Sequence, residues 1–566
     1  MKKPKKKNLF FSRLSLFLAA LLLVALPGGC SGARTERNEG SLSYEDAEAE
    51  IAAMLNEISV THVSEPVLDI YSEDLSEAET LADLSTFPVT VTGDGDIILE
   101  IAAATELSAE APDDWINMVA QEFNKAGYPV GDRRVTVSVR KITSGEVVTY
   151  MKAGAYQPQL FIPSNDAWGM MLKSSGIGVE KIAERIAGNT AGILIKKDVY
   201  DSFIEKYKEP TLANVLDATL AKDLTFAYTN PYTSSTGLNI LTAMLSSFDA
   251  ANPLSDTAQQ KLLEYQKSSP PVAYTTAVLR SQASKGIINA MVMEEQAYIN
   301  TPELVNYTYI SAGIRHDHPV YTFDYCTQEQ KDAAKLFVDY CLTEENQNLA
   351  TEKGFNRHDE YVSEDPGLDG TGYLTAQKVW KQNKNGGRPI IAVFVADISG
   401  SMRGEPLSAL KSSLIGASSY IGSEHYIGLV SYSGNVTVNL PVEQFDATQK
   451  AYFSGEVKGL AEGGSTATYD AVLVALNMLA EKAKEVPEAK LMLFVLSDGE
   501  QNEGYSLKRV TPIVSGMRVP VYTIGYNYND ENGELNRLSD INEAAALNAT
   551  SDDISNQLRN LFNVTI

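Results

Sequence analysis

The sequence predicts an α/β protein with two folded units, a two-lobed one over 95–356 and a doubly wound one over 388–566. Three observations carry this. Short apolar runs alternate with amphipathic stretches along most of the chain, the pattern of parallel sheet with crossover helices. A stretch rich in Gly, Asn and charge at 357–387 interrupts that alternation and reads as a linker. The chain, at 566 residues, is also too long for a single core.

The first thirty residues stand apart. "MKKPKKKNLFFSR" is basic and "LSLFLAALLLVAL" (14–26) is apolar or small throughout. That run falls short of the roughly 20 residues of a membrane-spanning helix and suits a secretory signal, with an uncleaved anchor as the other reading. "LPGGC" (26–30) resembles a bacterial lipobox, although Pro27 stands where an apolar residue is usual. The resemblance implies that Cys30 becomes the lipidated first residue, holding the exported chain to the outer face of a bacterial cell membrane.

Loss of residues 1–29 would leave 41 Lys+Arg against 73 Asp+Glu, a net charge of −32. So acidic a surface argues against nucleic acid as a partner, and against charge-driven binding to anionic membrane. Beyond Cys30 only Cys326 and Cys341 remain, and the sequence leaves open whether they pair or stay buried thiols.

Residues 31–94 are polar and acidic, with one amphipathic stretch, "YEDAEAEIAAMLNEI" (44–58), and read as a tether with a short helix. From "IILEIAAA" (97–104) strands and helices alternate through "RVTVSVRKI" (134–142), "PQLFIP" (158–163), "LTFAYT" (224–229) and "GIINAMVM" (286–293). A last helix, "KDAAKLFVDYCLTEENQNLATEKGF" (331–355), closes the unit, and two lobes in tandem fit that order.

Within it, "YTNPYTSSTGLNIL" (228–241) ends a strand, places a hydroxyl cluster, and starts a helix. Free N–H groups there suit an anion or carboxylate oxygen, and an ordinary N-cap is the alternative. "AAATEL" (102–107), "FIPSNDAW" (161–168) and "MVMEEQAY" (291–298) likewise put small polar residues after strands. The order of these four resembles the two-lobed bacterial extracellular solute-binding proteins. The resemblance implies a small solute between the lobes, with Thr105, Ser164, Asn165, Thr233, Ser234, Ser235 and Glu294 as candidate contacts. Trp168 and Tyr232 could pack against that solute or lie in the core.

The second unit begins at "PIIAVFVA" (389–396) and runs through strands "YIGLVSYS", "VTVNLP", "KLMLFVLS" and "VPVYTIGY" to a final helix, "DDISNQLRNLF". In an open parallel sheet, ligand sites lie beyond the carboxyl ends of the strands. There "DISGSM" offers Asp397, Ser399 and Ser401, "GGSTATYD" offers Ser465 or Thr466, and "LSDGE" offers Asp498. An all-oxygen set suits a hard cation, Mg²⁺ or Mn²⁺, with Ca²⁺ the poorer fit. So few charges in contact leave the ion electrophilic and able to take a carboxylate from a partner. The three motifs resemble the metal-ion-dependent adhesion site of von Willebrand factor type A domains, a doubly wound, Rossmann-like fold, over 388–566. The resemblance implies Asp397, Ser399, Ser401, Thr466 and Asp498 as the metal shell.

These readings favour a non-enzymatic surface binding protein that engages an Asp- or Glu-bearing protein partner. The runner-up is the substrate-binding component of an ABC transporter with an accessory docking domain. An enzyme has little support, since no Ser elbow, Cys–His arrangement or poised base is evident. His316 and His318 in "RHDHP" could be a transition-metal pair, but with no third ligand in sight a solvated edge is the plainer reading. Glu500 and Glu503 read as acidic surface rather than acid–base groups.

Overall fold

The computed structural model describes residues 42–69, 81–273, 288–499, 501–526, 533–542, 546–549 and 554–566, with positions 276, 279, 280, 283 and 544 between them. The expected leader and Cys30 lie outside the described residues. Among the described residues no helix is long and apolar enough to cross a membrane.

The C-terminal unit is built on the strand Ile390–Asp397, buried along its whole length. Its side chains alternate between two cores. Ile391, Val393 and Val395 enter one, and Ile390, Ala392, Phe394 and Ala396 the other. Helices therefore cover both faces, as a parallel sheet requires. The seven strands run in the order Val60–His62, Val436–Gln444, Tyr426–Tyr432, Ile390–Asp397, Lys490–Ser497, Val521–Tyr526, Ala546–Ala549. All pair in parallel except Tyr426–Tyr432 with Val436–Gln444.

The first strand of that order comes from the expected tether, which the structure corrects. Val60 pairs with Val436 and His62 with Val438, extending the sheet edge. The preceding helix, Tyr44–Met54, buries Ala47, Ile51 and Met54 in the same core as Val510, Val514 and Met517. Those positions recur at helical spacing as a narrow stripe, and the acidic residues around them gave the segment its tether-like composition.

In the two-lobed unit, the first sheet runs Val89–Val91, Arg133–Lys141, Ile97–Ala103, Leu160–Ile162, Val320–Phe323, Val179–Ala183, with Pro129–Val130 paired to Arg133–Lys141. The second runs Val272–Ala273, Phe226–Thr229, Ala290–Glu294, Thr190–Lys196, Tyr307–Arg315. The lobes are not strictly in tandem. The chain crosses once between Ala183 and Thr190, and again between Arg315 and Val320. The closing helices Gln328–Cys341 and Glu344–Glu352 then pack on the first lobe, Phe337 and Cys341 beside Leu99, Phe123 and Val137. Parallel pairing needs long crossovers, so the order of elements left the lobe of each helix open.

The expected linker 357–387 is also corrected, because it contains the helix Gly370–Asn383. Trp380 is fully buried in the second-lobe core and its Nε1 donates to Tyr228 Oη at 2.9 Å. At the other end Gly370 lies so near the first-lobe residue Met170 that a Cβ would meet its carbonyl oxygen at 2.0 Å. The helix thus braces both lobes. Cys326 and Cys341 are free thiols, both buried and in different cores.

Candidate functional site

Two sites emerge, one at the C-terminal sheet edge and one between the lobes. At the sheet edge the strand Ile390–Asp397 ends on a fully buried carboxylate. Asp397 Oδ1 accepts from the Ser399 amide at 2.8 Å, while Oδ2 accepts from Ser497 Oγ at 2.6 Å and Tyr432 Oη at 3.2 Å. Burial raises its pKa above the ordinary carboxylate value, those hydrogen bonds offset part of the rise, and the Asp498 charge adds to it. The Ser399 and Ser401 hydroxyls lie 3.0 Å apart.

Main-chain bonds bring the second motif alongside. The Gly400 amide donates to Gly464 O at 2.9 Å and the Gly463 amide to Ile398 O at 2.6 Å. A Cβ at Gly463 would meet Ser433 Oγ at 2.3 Å, which explains a glycine there. Thr466 is buried and clamped, its amide donating to Asn502 Oδ1 at 2.9 Å and its carbonyl accepting from the Asn502 and Glu503 amides at 3.1 Å. Ser465, the other candidate, is half-buried. Asp498 Oδ1 is buried with no hydrogen-bond partner among the described residues. Three loops at this sheet edge thus carry five oxygen-bearing side chains, two of them carboxylates, with the Asp498 charge raising the pKa of Asp397. Such a donor set fits a hard cation, which would engage the orphaned oxygen. Glu503 is exposed, and Glu500 lies outside the described residues.

Between the lobes is a cleft of about 430 Å³. Of the expected contacts, Thr105, Ser164, Thr233, Ser234, Ser235 and Glu294 line it. Asn165 does not; it is buried behind, with both side-chain polar atoms lacking partners among the described residues. Ser234 is the N-cap of the helix Ser235–Phe248, so the hydroxyl cluster also performs the structural role weighed for it. Its Oγ accepts from Thr229 Oγ1 at 2.8 Å and from the Gly237 amide at 3.4 Å. Ser235 Oγ accepts from Trp168 Nε1 at 2.9 Å, placing Trp168 in the core rather than on a ligand.

The sequence reading missed Glu106, Asp113, Lys141 and Arg280, which also line the cleft. Asp113 lies after the helix Thr105–Ser108, and burial raises its pKa although Gln296 Nε2 donates to it at 2.7 Å. Both histidines of "RHDHP" prove fully buried, against the solvated edge expected for them. They lie in the second crossover between lobes, whose main chain bonds the first: the His316 amide donates to Asn189 O at 3.0 Å. His318 Nδ1 lies 2.7 Å from Ala187 O and its Nε2 3.2 Å from Glu106 Oε1. Burial alone would raise Glu106, but the bond and charge of His318, with a bond from Ser164, bring it down to about 2. The alternation His–x–His was the only local signal, and the crossover that buries it is not a sequence feature.

Residues 105–356 match the family model of the bacterial extracellular solute-binding proteins, and residues 392–564 that of the von Willebrand factor type A domain. No match is found among curated proteins. Among solved structures, a von Willebrand factor type A protein from Catenulispora acidiphila is 18% identical over 31% of this chain and 42% of its own, with a TM-score of 0.28. The chain thus spans under half the length of that relative. The substrate-binding domain of a putative molybdenum ABC transporter from Clostridium difficile is 14% identical over 46% of this chain and 98% of its own, TM-score 0.29. The sulfate-binding protein SubI of Mycobacterium tuberculosis H37Rv is 15% identical over 46% of this chain and 88% of its own, TM-score 0.34. One chain therefore carries a bacterial extracellular solute-binding protein domain followed by a von Willebrand factor type A domain.

Proposed function

We propose that this is an exported binding protein that captures a protein partner through a divalent cation at the C-terminal sheet edge, while its two-lobed domain holds a small solute. Lipidation at Cys30 would keep it on the outer face of the cell membrane. The observation that carries the reading is the buried, unpartnered Asp498 Oδ1 at the end of the strand beside that of Asp397, whose loop brings the Ser399 and Ser401 hydroxyls to 3.0 Å and bonds the loop before Thr466. Bound there, Mg²⁺ or Mn²⁺ would act as an electrophile for an Asp or Glu of the partner. The protein's own part is to preset the donors. Ser497 and Tyr432 fix the Asp397 carboxylate, and Asn502 fixes the Thr466 loop.

Calorimetric titration of Mg²⁺ and Mn²⁺ into the chain from residue 30 onward tests this. Saturable binding to one site, abolished in both Asp397→Ala and Asp498→Ala, is expected. An intact chain that takes up neither ion, alone or beside an acidic peptide, would remove the basis for metal-dependent capture.

A further inference from the structure

The cleft has more than hydroxyls to offer. Glu106 and Glu294, which line it, and the fully buried His316 each present one ligand atom, and these atoms all lie within 4.8 Å of one another. They come from three places. Glu106 sits in the helix Thr105–Ser108 of the first lobe, and Glu294 ends the strand Ala290–Glu294 of the second. His316 belongs to the crossover between lobes. We propose that the interlobe cleft binds a divalent first-row transition-metal ion through Glu106, Glu294 and His316. This deepens the reading of the cleft as a solute site, and rests on it.

Four observations support the ion. First, His316 is fully buried, yet neither ring nitrogen makes a hydrogen bond among the described residues, although Nδ1 lies 3.2 Å from Glu294 Oε1. A buried imidazole left this way is poorly satisfied by protein alone and well satisfied by a metal. Second, the spacing is close to what coordination needs. Ligands about 2.0–2.2 Å from an ion lie roughly 3–3.5 Å from each other, so a contraction of at most about 1.3–1.8 Å by side-chain rotation completes the set.

Third, His318 orients the carboxylate. Ala187 O can only accept, so His318 Nδ1 donates to it. Its Nε2 lies 3.2 Å from Glu106 Oε1, so the anchored ring holds that carboxylate in place beside the other two ligands. Fourth, Glu106, Glu294 and Asp113 together make this part of the cleft hostile to a bare oxyanion. One imidazole and two carboxylates suit Zn²⁺, Fe²⁺ or Mn²⁺ rather than Mg²⁺. Because the ligands come from both lobes and the crossover, the bound ion would tie the lobes together.

The test is a titration of ZnCl₂, followed calorimetrically, into the chain carrying Asp397→Ala, which disables the sheet-edge site. One equivalent bound is expected. Glu294→Gln or His316→Ala in that background should weaken it by about 100-fold or more, and His318→Gln by about 10–100-fold, as for a residue that only positions a ligand. Glu106→Gln preserves shape and guards against misfolding, and circular dichroism checks every variant. Absence of stoichiometric binding, or binding indifferent to Glu294→Gln and Glu106→Gln in folded protein, overturns the proposal. Mg²⁺ titration of the unaltered chain reads the sheet-edge site separately, so either can fail without the other.

Discussion

A carboxylate buried at the end of a parallel strand is a liability until something positive arrives. Asp397 illustrates this. Burial lifts its pKa, so the folded chain holds the proton more tightly than the unfolded one. Its contribution to stability is therefore full below the unfolded value and is lost as pH rises through the raised folded value. A cation reverses the sign, since it binds only the ionised form. Asp397→Asn should accordingly abolish ion binding while raising the melting temperature of the ion-free chain by about 2–4 °C, the shift that roughly 1 kcal/mol produces in a domain of 150–250 residues. In the unaltered chain, ion affinity should begin to fall on acidification above the usual carboxylate range. Scanning calorimetry with and without Mg²⁺ between acid and neutral pH reads both effects. A lower melting temperature for the ion-free variant would mean that Ser497 and Tyr432 already compensate the charge.

At the scale of elements, strands were far more legible than connections. "PIIAVFVAD" carries its identity in composition alone, because a strand buried on both faces must be apolar throughout. The three sheet-edge motifs were legible as loops for a related reason: close approach there needs small or hydroxylated residues, as Gly463 against Ser433 requires. The helix Tyr44–Met54 was visible as a helix but not as part of the sheet domain, because a stripe of three apolar residues does not say what covers it. Likewise Trp380 marked a buried position within 357–387, where the surrounding Gly and Asn dominated the composition. The pairing of His316 with Glu106 and Glu294 was hidden because they lie far apart in sequence, on the two lobes and the second crossover between them. The N-terminal docking has a measurable consequence. Ile51 is fully buried, so Ile51→Ala should cost about 2–5 kcal/mol in denaturant unfolding of the C-terminal domain. A free tether would leave that stability unchanged.

For the whole molecule, the question is whether cleft and sheet edge can communicate. Residues 41–566 form one unit, and its two domains meet through a buried ion pair in which Arg559 Nη2 of the C-terminal helix donates to Glu146 Oε2. Both side chains are at most 4% exposed. Glu146 sits in the helix Ser144–Lys152, whose start lines the cleft at Thr143 and Ser144. The next residue, Gly145, packs so closely on the other lobe that a Cβ would meet Tyr232 O at 2.0 Å. A ligand that drew the lobes together would therefore press on the helix that grips the C-terminal domain. Nearby, Lys384 Nζ donates to Phe562 O at 3.3 Å, so the brace helix reaches the same C-terminal helix. Removing one partner of a buried pair leaves the other charge in a dry site, so Glu146→Ala should cost about 3–5 kcal/mol. Glu146→Leu with Arg559→Met should recover most of that loss, since apolar pairs of similar volume replace buried ion pairs at little cost. Denaturant unfolding followed separately in each domain should give coincident transitions for the unaltered chain and split ones for Glu146→Ala. Separate transitions in the unaltered chain would show that the Glu146–Arg559 contact does not make the domains unfold as one, and would remove the argument for this route between cleft and sheet edge.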